Sequence, residues 1–444
     1  MPVPIIDLND QRFRADRYGY IAELRAQAPY ARTPDGAVVF FDQADVMEVL
    51  RCVDFQFAFN RIDATKSPYL ARAIEHELLN MHGDAHKRLS RLLKKALRDR
   101  VVEGMRRKIA DIVAELVAGL PADGPVDFCS AFADPLPARV LGPVFGIAYE
   151  QAEGLNEWIR IGGRKIDALQ SGVGIAEVED ANRRIHDYLR DLLAQRRGNP
   201  GDDLFSEMMQ VEIDGDRIGA EELVFLSGEL ASAGVDTTRA QLPLILNAFL
   251  DHPQEWDKLR ADPGLAGRAV DEGMRFAPLP WVIPHRATRD MTYRDIAFAE
   301  GDLAFVMVPA ANRDPSATER PDEFIIDRAP ARRFAFGGGK AFCVRRGHAF
   351  LPGRASSQDG NVDGASRVAG GMRGHSAGRA AGMGAWPGRP HASPAGHHDQ
   401  ENETVARMIG KPDARRKIWR TPRMDQPAKF VIRFFETVTH GDPA

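Results

Sequence analysis

The spacing of apolar and polar positions predicts a mainly helical chain. Apolar residues recur at helical intervals over many segments. The predicted helices cover residues 17–28, 43–51, 86–97, 101–120, 132–145, 222–249 and two stretches within 151–196. Short β-rich runs are predicted at 37–41, 296–298 and 303–308. A small strand-bearing part near 30–50 and 286–310 therefore accompanies the helices, and residues 52–82 are predicted to be irregular.

The segment HKRLSRLLKKAL, residues 86–97, is predicted to form a basic amphipathic helix. Its leucines lie on one side and its cations on the other. A run of charges like this is usually a solvated face. The alternative is that the cations face an anionic ligand.

The polar stretch AGVDTT, residues 233–238, interrupts the apolar helical pattern of 222–249. Polar groups inside a buried helix are costly unless they are satisfied or functional. A threonine hydroxyl can bond to the carbonyl of the preceding turn and bend the helix. The pattern predicts a local opening for a small ligand and a water, where Asp236 and Thr237 relay protons. The alternative interpretation of the same residues is a helix kink with a capping acid.

The segment DEGMR places Glu272 and Arg275 three residues apart on one helical face. Most such pairs are surface ion pairs of small value. The apolar neighbours Ala269, Val270 and Phe276 favour burial instead. A buried pair must satisfy its remaining donors with nearby backbone, so we predict a structural clamp.

The stretch FAFGGGKAFC, residues 334–343, places three glycines shortly before a lone cysteine. Glycines permit positive φ and let a backbone lie close to a flat ligand. A cysteine thiolate is one of the few axial ligands that proteins give to haem iron, where it favours O–O cleavage. A glycine-rich turn beside an ordinary buried cysteine is the alternative interpretation.

Composition narrows the possible functions. The chain has 444 residues, 44% of them hydrophobic, which is ample for a large core. The net charge of −4 gives no sign of a nucleic-acid partner, and no apolar run approaches membrane-spanning length. The start lacks a signal-peptide pattern, and three cysteines are too few for a disulfide framework, so we predict a cytoplasmic protein. Cys52 and Cys129 are predicted to be buried thiols.

Five elements occur in one fixed order along the chain. They are the basic helix with a histidine, AGVDTT, the E-x-x-R pair, ANRDP with a following P-D-x-F segment, and the Phe-x-x-Gly-x-x-x-Cys loop. Together they resemble the cytochrome P450 family in its soluble bacterial form, over roughly residues 15–343. The resemblance implies a mostly helical triangular prism with a smaller β-rich region, and a haem domain spanning 1–343.

The resemblance also implies an activity. Family members use haem b to insert one oxygen atom from O₂ into a small hydrophobic substrate. Their electrons come from NAD(P)H through separate redox proteins, such as a ferredoxin and a ferredoxin reductase. The resemblance further implies a monomer without a membrane or nucleic-acid partner.

The cofactor residues implied by the resemblance lie on three elements. Cys343 matches the axial iron ligand, and Phe336 and Gly339 match the loop that leads to it. His86 and Arg286 match two residues that bind the haem propionates.

The oxygen side of the implied site lies on the AGVDTT segment. Ala233 and Gly234 match the groove in which oxygen sits. Asp236 and Thr237 match the acid–alcohol pair that delivers protons to dioxygen. The Glu272–Arg275 clamp matches a structural pair of the family.

Two propionate partners of the family are replaced here. Ser90 stands where an arginine is usual, and we predict that Arg88 or Arg91 substitutes for it. Ala341 stands where a histidine or arginine is usual, and Lys340 is predicted to compensate. Each loss removes roughly one charge-assisted hydrogen bond, on the order of 1–3 kcal/mol.

The sequence changes character directly after Cys343. Arg345 stands where the family has glycine, and residues 344–400 contain no lysine, no glutamate and only four valine, leucine or isoleucine residues. Such a composition buries too little apolar surface to order itself, so 344–420 is predicted to be irregular or disordered within an atypical region, 344–444. We hypothesise a reading-frame slip after Cys343. The alternative to an active monooxygenase is therefore a non-catalytic, truncated or frameshifted family member with weak or no haem binding.

The substrate pocket is expected around 52–82, 165–180, 280–283 and the middle of the Asp236 helix. The apolar residues there favour a hydrophobic substrate, although pockets and cores share this composition. They are Phe55, Phe57, Phe59, Leu279, Trp281, Val282 and Ile283.

Overall fold

The computed structural model describes residues 3–7, 10–58, 65, 67–97, 99–121, 126–165, 168, 173–329 and 334. Helices account for most of these residues, as the apolar periodicity predicts. The α-helices are α1 Gln11–Ala15, α2 Arg17–Gln27, α3 Gln43–Arg51, α4 Pro68–Glu75, α5 Gly83–Ala96, α6 Asp99–Ala118, α7 Pro135–Phe145, α8 Tyr149–Gly162, α9 Ile175–Arg196, α10 Leu204–Gln210, α11 Ala220–Asp251, α12 Pro253–Ala261, α13 Ala266–Phe276 and α14 Val308–Asn312.

Short strands build the smaller part of the fold. They are β1 Tyr30–Arg32, β2 Val38–Phe40, β3 Phe55–Phe57, β4 Glu212–Ile213, β5 Asp216–Arg217, β6 Val282–Ala287, β7 Met291–Tyr293, β8 Ile296–Phe298 and β9 Leu303–Met307. A five-stranded sheet has the order β1-β2-β9-β6-β3, and only β2 and β9 among its pairs run parallel. The sheet joins the first 57 residues to residues 282–307, which confirms the predicted β-rich part.

The prediction that residues 52–82 are irregular is wrong. This segment contains β3, helix α4 and a 3₁₀ turn, Leu78–Asn80. Pro68 is the first residue of α4, where its missing amide costs nothing and its φ suits a helix. Leu70, Ala73 and Ile74 then bury one face at helical spacing.

The long helix α11 runs without interruption through AGVDTT, so the predicted backbone opening is wrong. Thr237 Oγ1 donates a hydrogen bond to the carbonyl of Ala233 at 2.7 Å, as the sequence predicts for a threonine in this position. The polar cluster is thus satisfied within the helix. Along its length α11 packs against α7, α8, α9, α10, α12 and α13, so it forms the centre of the main core.

Cys52 and Cys129 are half-buried, so the prediction of buried thiols is wrong for both. Each lies at the end of an element, Cys52 after α3 and Cys129 at the start of a π-helical turn. One side of each residue therefore faces outward. None of the described helices has the length and apolar content that are needed to cross a membrane.

Candidate active site

Near its centre, α11 has one uncovered face. Ala233 and Thr237 are exposed, although Ala231 and Val235 on the other side of the helix are buried. A Cβ atom built on Gly234 would meet nothing within 4 Å. We call Ala233, Gly234 and Thr237 the groove. An open, largely apolar surface in the middle of a core helix suits a flat ligand with a small molecule beside it.

The Thr237 hydroxyl is oriented by its own helix. Because its hydrogen points to the Ala233 carbonyl, the oxygen keeps its lone pairs as acceptors. In this conformation the hydroxyl can accept a hydrogen bond from a molecule in the groove.

The Asp236 carboxylate is fixed from two sides. Its Oδ1 accepts a hydrogen bond from Arg239 Nη2 at 2.8 Å, and Arg239 Nε lies 3.7 Å from Asp134. Its Oδ2 lies against the backbone of Gly163, directly after α8. Asp236 therefore connects the helix that carries the groove with the end of α8.

His86 is buried on α5, and its Nε2 lies 3.2 Å from Ser90 Oγ. Burial and, to a smaller degree, the neighbouring His86 lower the pKa of His82. Burial lowers the pKa of His285 to about 4, with a further contribution from His82. These electrostatic neighbours place the start of α5 near β6, the strand that carries Arg286. Arg286 Nη1 donates to the carbonyl of Gly301 at 2.9 Å.

Arg88 and Arg91 pair with acidic residues of other segments, which does not support the prediction that one of them substitutes for the arginine that is usual at position 90. Arg88 donates to Asp216 and Glu222 in the segment that precedes and begins α11. Arg91 is exposed, and its Nη1 lies 3.9 Å from a carboxylate oxygen of Asp214. The reason is helical geometry. At 100° per residue, both arginines lie far around α5 from His86, whereas the position four residues on shares its face.

The Glu272–Arg275 pair is buried, with only 1% of the Arg275 side chain and 5% of the Glu272 side chain exposed. Arg275 Nε and Nη2 donate to the two Glu272 oxygens at 2.7 and 2.8 Å. Its other hydrogens reach the carbonyls of Asn312, Pro321 and Glu323 at 2.8 to 3.0 Å. All donor directions of the guanidinium are therefore satisfied, as a buried ion pair requires.

Asn312 extends this clamp to the start of the cysteine loop. Its Nδ2 donates to the Arg275 carbonyl at 3.1 Å, and its Oδ1 accepts from the Phe334 amide at 2.9 Å. Both Asn312 and Phe334 are fully buried. Asn312, Arg313 and Asp314 are all buried although they are polar, because their side chains hold neighbouring segments together.

The comparisons with known proteins agree with this geometry. No protein-family model matches the chain. Cytochrome P450 107B1 of Saccharopolyspora erythraea is 30% identical over 357 residues, which cover 77% of this chain and 86% of that protein. The chain belongs to the cytochrome P450 family. It is therefore an oxidoreductase of the haem-thiolate monooxygenase type, with iron held in haem.

Other P450s give the same picture. Vitamin D(3) 25-hydroxylase of Pseudonocardia autotrophica is 30% identical over 361 residues, covering 79% of this chain and 87% of that protein. The crystal structure of P450BioI in complex with hexadec-9Z-enoic acid ligated acyl carrier protein matches with a TM-score of 0.69 and 26% identity. It covers 75% of this chain and 87% of that one. The predicted P450 fold is thereby confirmed.

Apart from Phe334, the cysteine loop at 334–343 lies outside the described residues. Phe336, Gly339 and Cys343 belong to this part, as do Lys340 and Ala341. Within the described ranges, no group of three or more His, Cys, Asp or Glu residues is arranged to hold a metal ion. The described residues fit a haem on the side of the groove and at His86.

Several residues expected to line the substrate pocket belong to the core instead. Phe55 packs edge-on against Phe298, and Val282 is buried in the cluster around the sheet. Trp281 contacts the rings of Phe13 and Tyr18. Phe59 lies outside the described residues. The apolar residues of this region thus reflect core packing as much as substrate binding, because a pocket wall and a core have the same composition.

Two residues of α11 that hold neighbouring segments in place are absent from the sequence prediction. Gln241 donates to the Ala277 carbonyl at 2.9 Å and accepts from the Leu279 amide at 3.0 Å, which fixes the loop after α13. Glu229 accepts two backbone amides from the turn Leu78–Asn80. The available signal was a single carboxylate between Gly228 and Leu230, within an otherwise apolar helical stretch.

Proposed function

We propose that this P450 oxidises apolar small molecules with haem b, and that residues 1–343 form its catalytic unit. The observation that carries the proposal is the groove: a satisfied helix turns Ala233, Gly234 and Thr237 toward open space, with the Asp236 carboxylate beside them. When bound, the haem supplies the chemistry of O₂ reduction and oxygen insertion. The chain must supply orientation, exclusion of water and protons.

Thr237 and Asp236 take the proton-handling role in this proposal. The Thr237 oxygen presents lone pairs to the groove, since its hydrogen is directed to Ala233. It can therefore accept a hydrogen bond there, and it donates when the bond to Ala233 breaks. Asp236 is half-buried between Arg239 and Gly163, so its carboxylate can exchange protons with the outside and pass them inward.

The residues proposed to hold the haem come from separate elements. Cys343 supplies the thiolate, after the loop containing Phe336 and Gly339. His86, oriented by Ser90, and Arg286 on β6 are proposed to bind the propionates. We infer a structural role for Arg88 and Arg91, which their ion pairs with acidic residues support.

An apolar substrate is supported by two observations. Leu79, Leu279 and Ile283 are half-buried apolar residues on the segments that are expected to line the substrate pocket. A related P450 is named vitamin D(3) 25-hydroxylase, and vitamin D3 is largely hydrocarbon. Electrons are proposed to come from NAD(P)H through separate redox proteins, such as a ferredoxin with its reductase.

The carbon monoxide difference spectrum of the reduced, purified protein tests the proposal. The strongly red-shifted Soret band of a thiolate–haem complex is expected for the wild type, and its loss for Cys343→Ser. Cys129→Ser is the matched control, because that thiol lies outside the site. Vitamin D3 then serves as the first probe in a spin-state titration. A wild-type protein that purifies without haem, or an unchanged band in Cys343→Ser, contradicts the proposal.

A second candidate is a folded but non-catalytic family member. It is favoured by the abrupt change in composition after Cys343. Residues 1–343 make up 77% of the chain, and the alignment with cytochrome P450 107B1 also covers 77% of it. Re-sequencing the gene distinguishes the two. A single insertion or deletion that restores glycine and an amphipathic helix after Cys343 supports a frameshift, and its absence removes this candidate.

A further inference from the structure

Glu229 joins the helix that carries the groove to a segment far away in sequence. Its carboxylate oxygens accept hydrogen bonds from the backbone amides of Leu78 at 2.6 Å and Leu79 at 3.0 Å. These amides begin the 3₁₀ turn Leu78–Asn80, so they lack partners within the turn. One side chain thus satisfies both and holds the turn against α11.

The Glu229 side chain is half-buried on α11. Burial raises the pKa of its carboxyl to about 7. Glu77 raises this pKa further, while the two amides and Lys165 lower it. Lys165 Nζ lies 2.5 Å from Glu77, so the neighbouring charges are themselves paired.

The position of Glu229 relates it to the groove. It precedes Ala233 by four residues and Thr237 by eight, which places all three along one side of α11. At a rise of 1.5 Å per residue, Glu229 lies about 6 Å from Ala233 and about 12 Å from Thr237 along the axis. The turn held by Glu229 therefore sits one helical turn beyond the groove.

The turn itself is apolar. Leu78 and Met81 pack on the main core, as the three-residue repeat of a 3₁₀ turn allows. Leu79 points elsewhere and stays half-buried. A shift of this turn would therefore move Leu79 relative to α11.

We propose that Glu229 is a positioning residue for the P450 reaction: it fixes the turn Leu78–Asn80 beside the groove and thereby sets the shape of the substrate space. This inference rests on the proposed function, since it concerns the same site. A carboxylate can accept both amides, whereas a protonated carboxyl loses one acceptor to its own hydrogen. The hold on the turn should weaken as the pH falls through the range in which Glu229 titrates. The charged groups that face it are Glu77 and Lys165.

Hydrogen exchange of the purified full chain tests the contact without needing turnover. After correction for intrinsic rates, the Leu78 and Leu79 amides should be protected at pH 8 and lose protection at least fivefold at pH 6. Glu229→Gln keeps one acceptor and cannot ionise, so its protection should be intermediate and independent of pH. Glu229→Ala should lose protection at least tenfold at both values. Glu221→Gln is the control, because Glu221 is an exposed carboxylate on the same helix, bound to Arg190.

Affinity for iron ligands tests the effect on the substrate space. The probes are 4-phenylimidazole, which fills the space beyond the iron, and imidazole, which does not. Glu229→Gln should change the ratio of their dissociation constants at least threefold at pH 8, and Glu221→Gln should leave it unchanged. Unchanged exchange in Glu229→Gln and Glu229→Ala, or a constant ligand ratio, overturns the inference. A chain that shows the exchange pattern but binds no haem overturns the proposed function and leaves the Glu229 contact established.

Discussion

Asp236 occupies the space that a side chain at Gly163 would take. A Cβ atom built on Gly163 would overlap Asp236 Oδ2 and lie 3.0 Å from its Cγ. The other carboxylate oxygen is held by Arg239 at 2.8 Å, so the group has little room to move aside. The glycine after α8 therefore sets the position of the acid beside the groove.

Gly163→Ala should affect the reaction in the same way as removal of the Asp236 carboxylate, although Asp236 itself is unchanged. We expect coupled product formation to fall about tenfold, because displacing a catalytic group by about 1 Å can cost up to 100-fold. The measurement is hydrogen peroxide released per product formed, with a substrate that passes the spectral titration. Gly154→Ala is the control, since a Cβ there meets nothing within 4 Å. Equal coupling in both variants contradicts this role.

Thr237→Ala should uncouple electron consumption from product formation. The variant removes the oxygen that faces the groove, and we expect product per electron pair to fall on the order of 10- to 100-fold. Thr237→Ser keeps the hydroxyl and should recover most of the coupling. If Thr237→Ala stays fully coupled, the residue takes no part in proton transfer.

Arg275→Ala should unfold the protein at much lower denaturant concentration. It leaves Glu272 buried without its partner and frees the carbonyls of Asn312 and Pro321. Breaking a buried pair in this way typically costs about 3–5 kcal/mol. Urea unfolding followed by circular dichroism measures it. Arg260→Ala is the control, because that exposed pair with Asp257 is worth roughly 0–1 kcal/mol.

Substitutions of His86 and Arg88 should differ in their effect on haem affinity. His86→Ala is expected to release haem more readily, by roughly tenfold for a lost charge-assisted hydrogen bond of about 1.5 kcal/mol. Arg88→Ala should lower stability because the ion pairs with Asp216 and Glu222 are lost. Its haem affinity should stay within about twofold of the wild type. The measurement is transfer of haem to an excess of apomyoglobin. The reverse order of effects contradicts the assignment.

Stability should depend on pH through Glu229. Its pKa in the fold, about 7, exceeds the ordinary value of 4.5. The protonated form is therefore favoured on folding, and this contribution is complete below pH 4.5 and lost as the pH rises to 7. A shift of this size corresponds to roughly 3 kcal/mol.

The difference in unfolding free energy between wild type and Glu229→Gln isolates this contribution. His285 and His186, whose pKa values burial lowers to about 4, act in the opposite direction and destabilise the fold as the pH falls below 6.5. They cancel in the difference. A difference that stays constant from pH 5 to pH 8 shows that Glu229 does not titrate in this range.

The sequence pattern alone was sufficient to predict the structural role of a residue where that role depends on neighbours within the same helix or strand. The helical periodicity, the burial of Glu272 with Arg275 and the back-bonding of Thr237 all follow from neighbours within one helix. The pattern was insufficient where the role of a residue depends on a partner that is distant in the sequence. Arg88 is bound by Asp216, and Glu229 by a turn about 150 residues earlier. For α5 the helical angle between His86 and Arg88 was available from the sequence and would have corrected the assignment.

The path from Arg275 through Asn312 to Phe334 has a consequence for how the protein is made. Every contact of this path joins residues that precede the cysteine in the chain. During synthesis the amino-terminal portion emerges first and can begin to fold as a unit. The residues of this path are therefore synthesised before Cys343, the residue proposed to bind iron. Because none of the contacts involves position 343 or a haem, the path from Arg275 to Phe334 can form before a haem is bound.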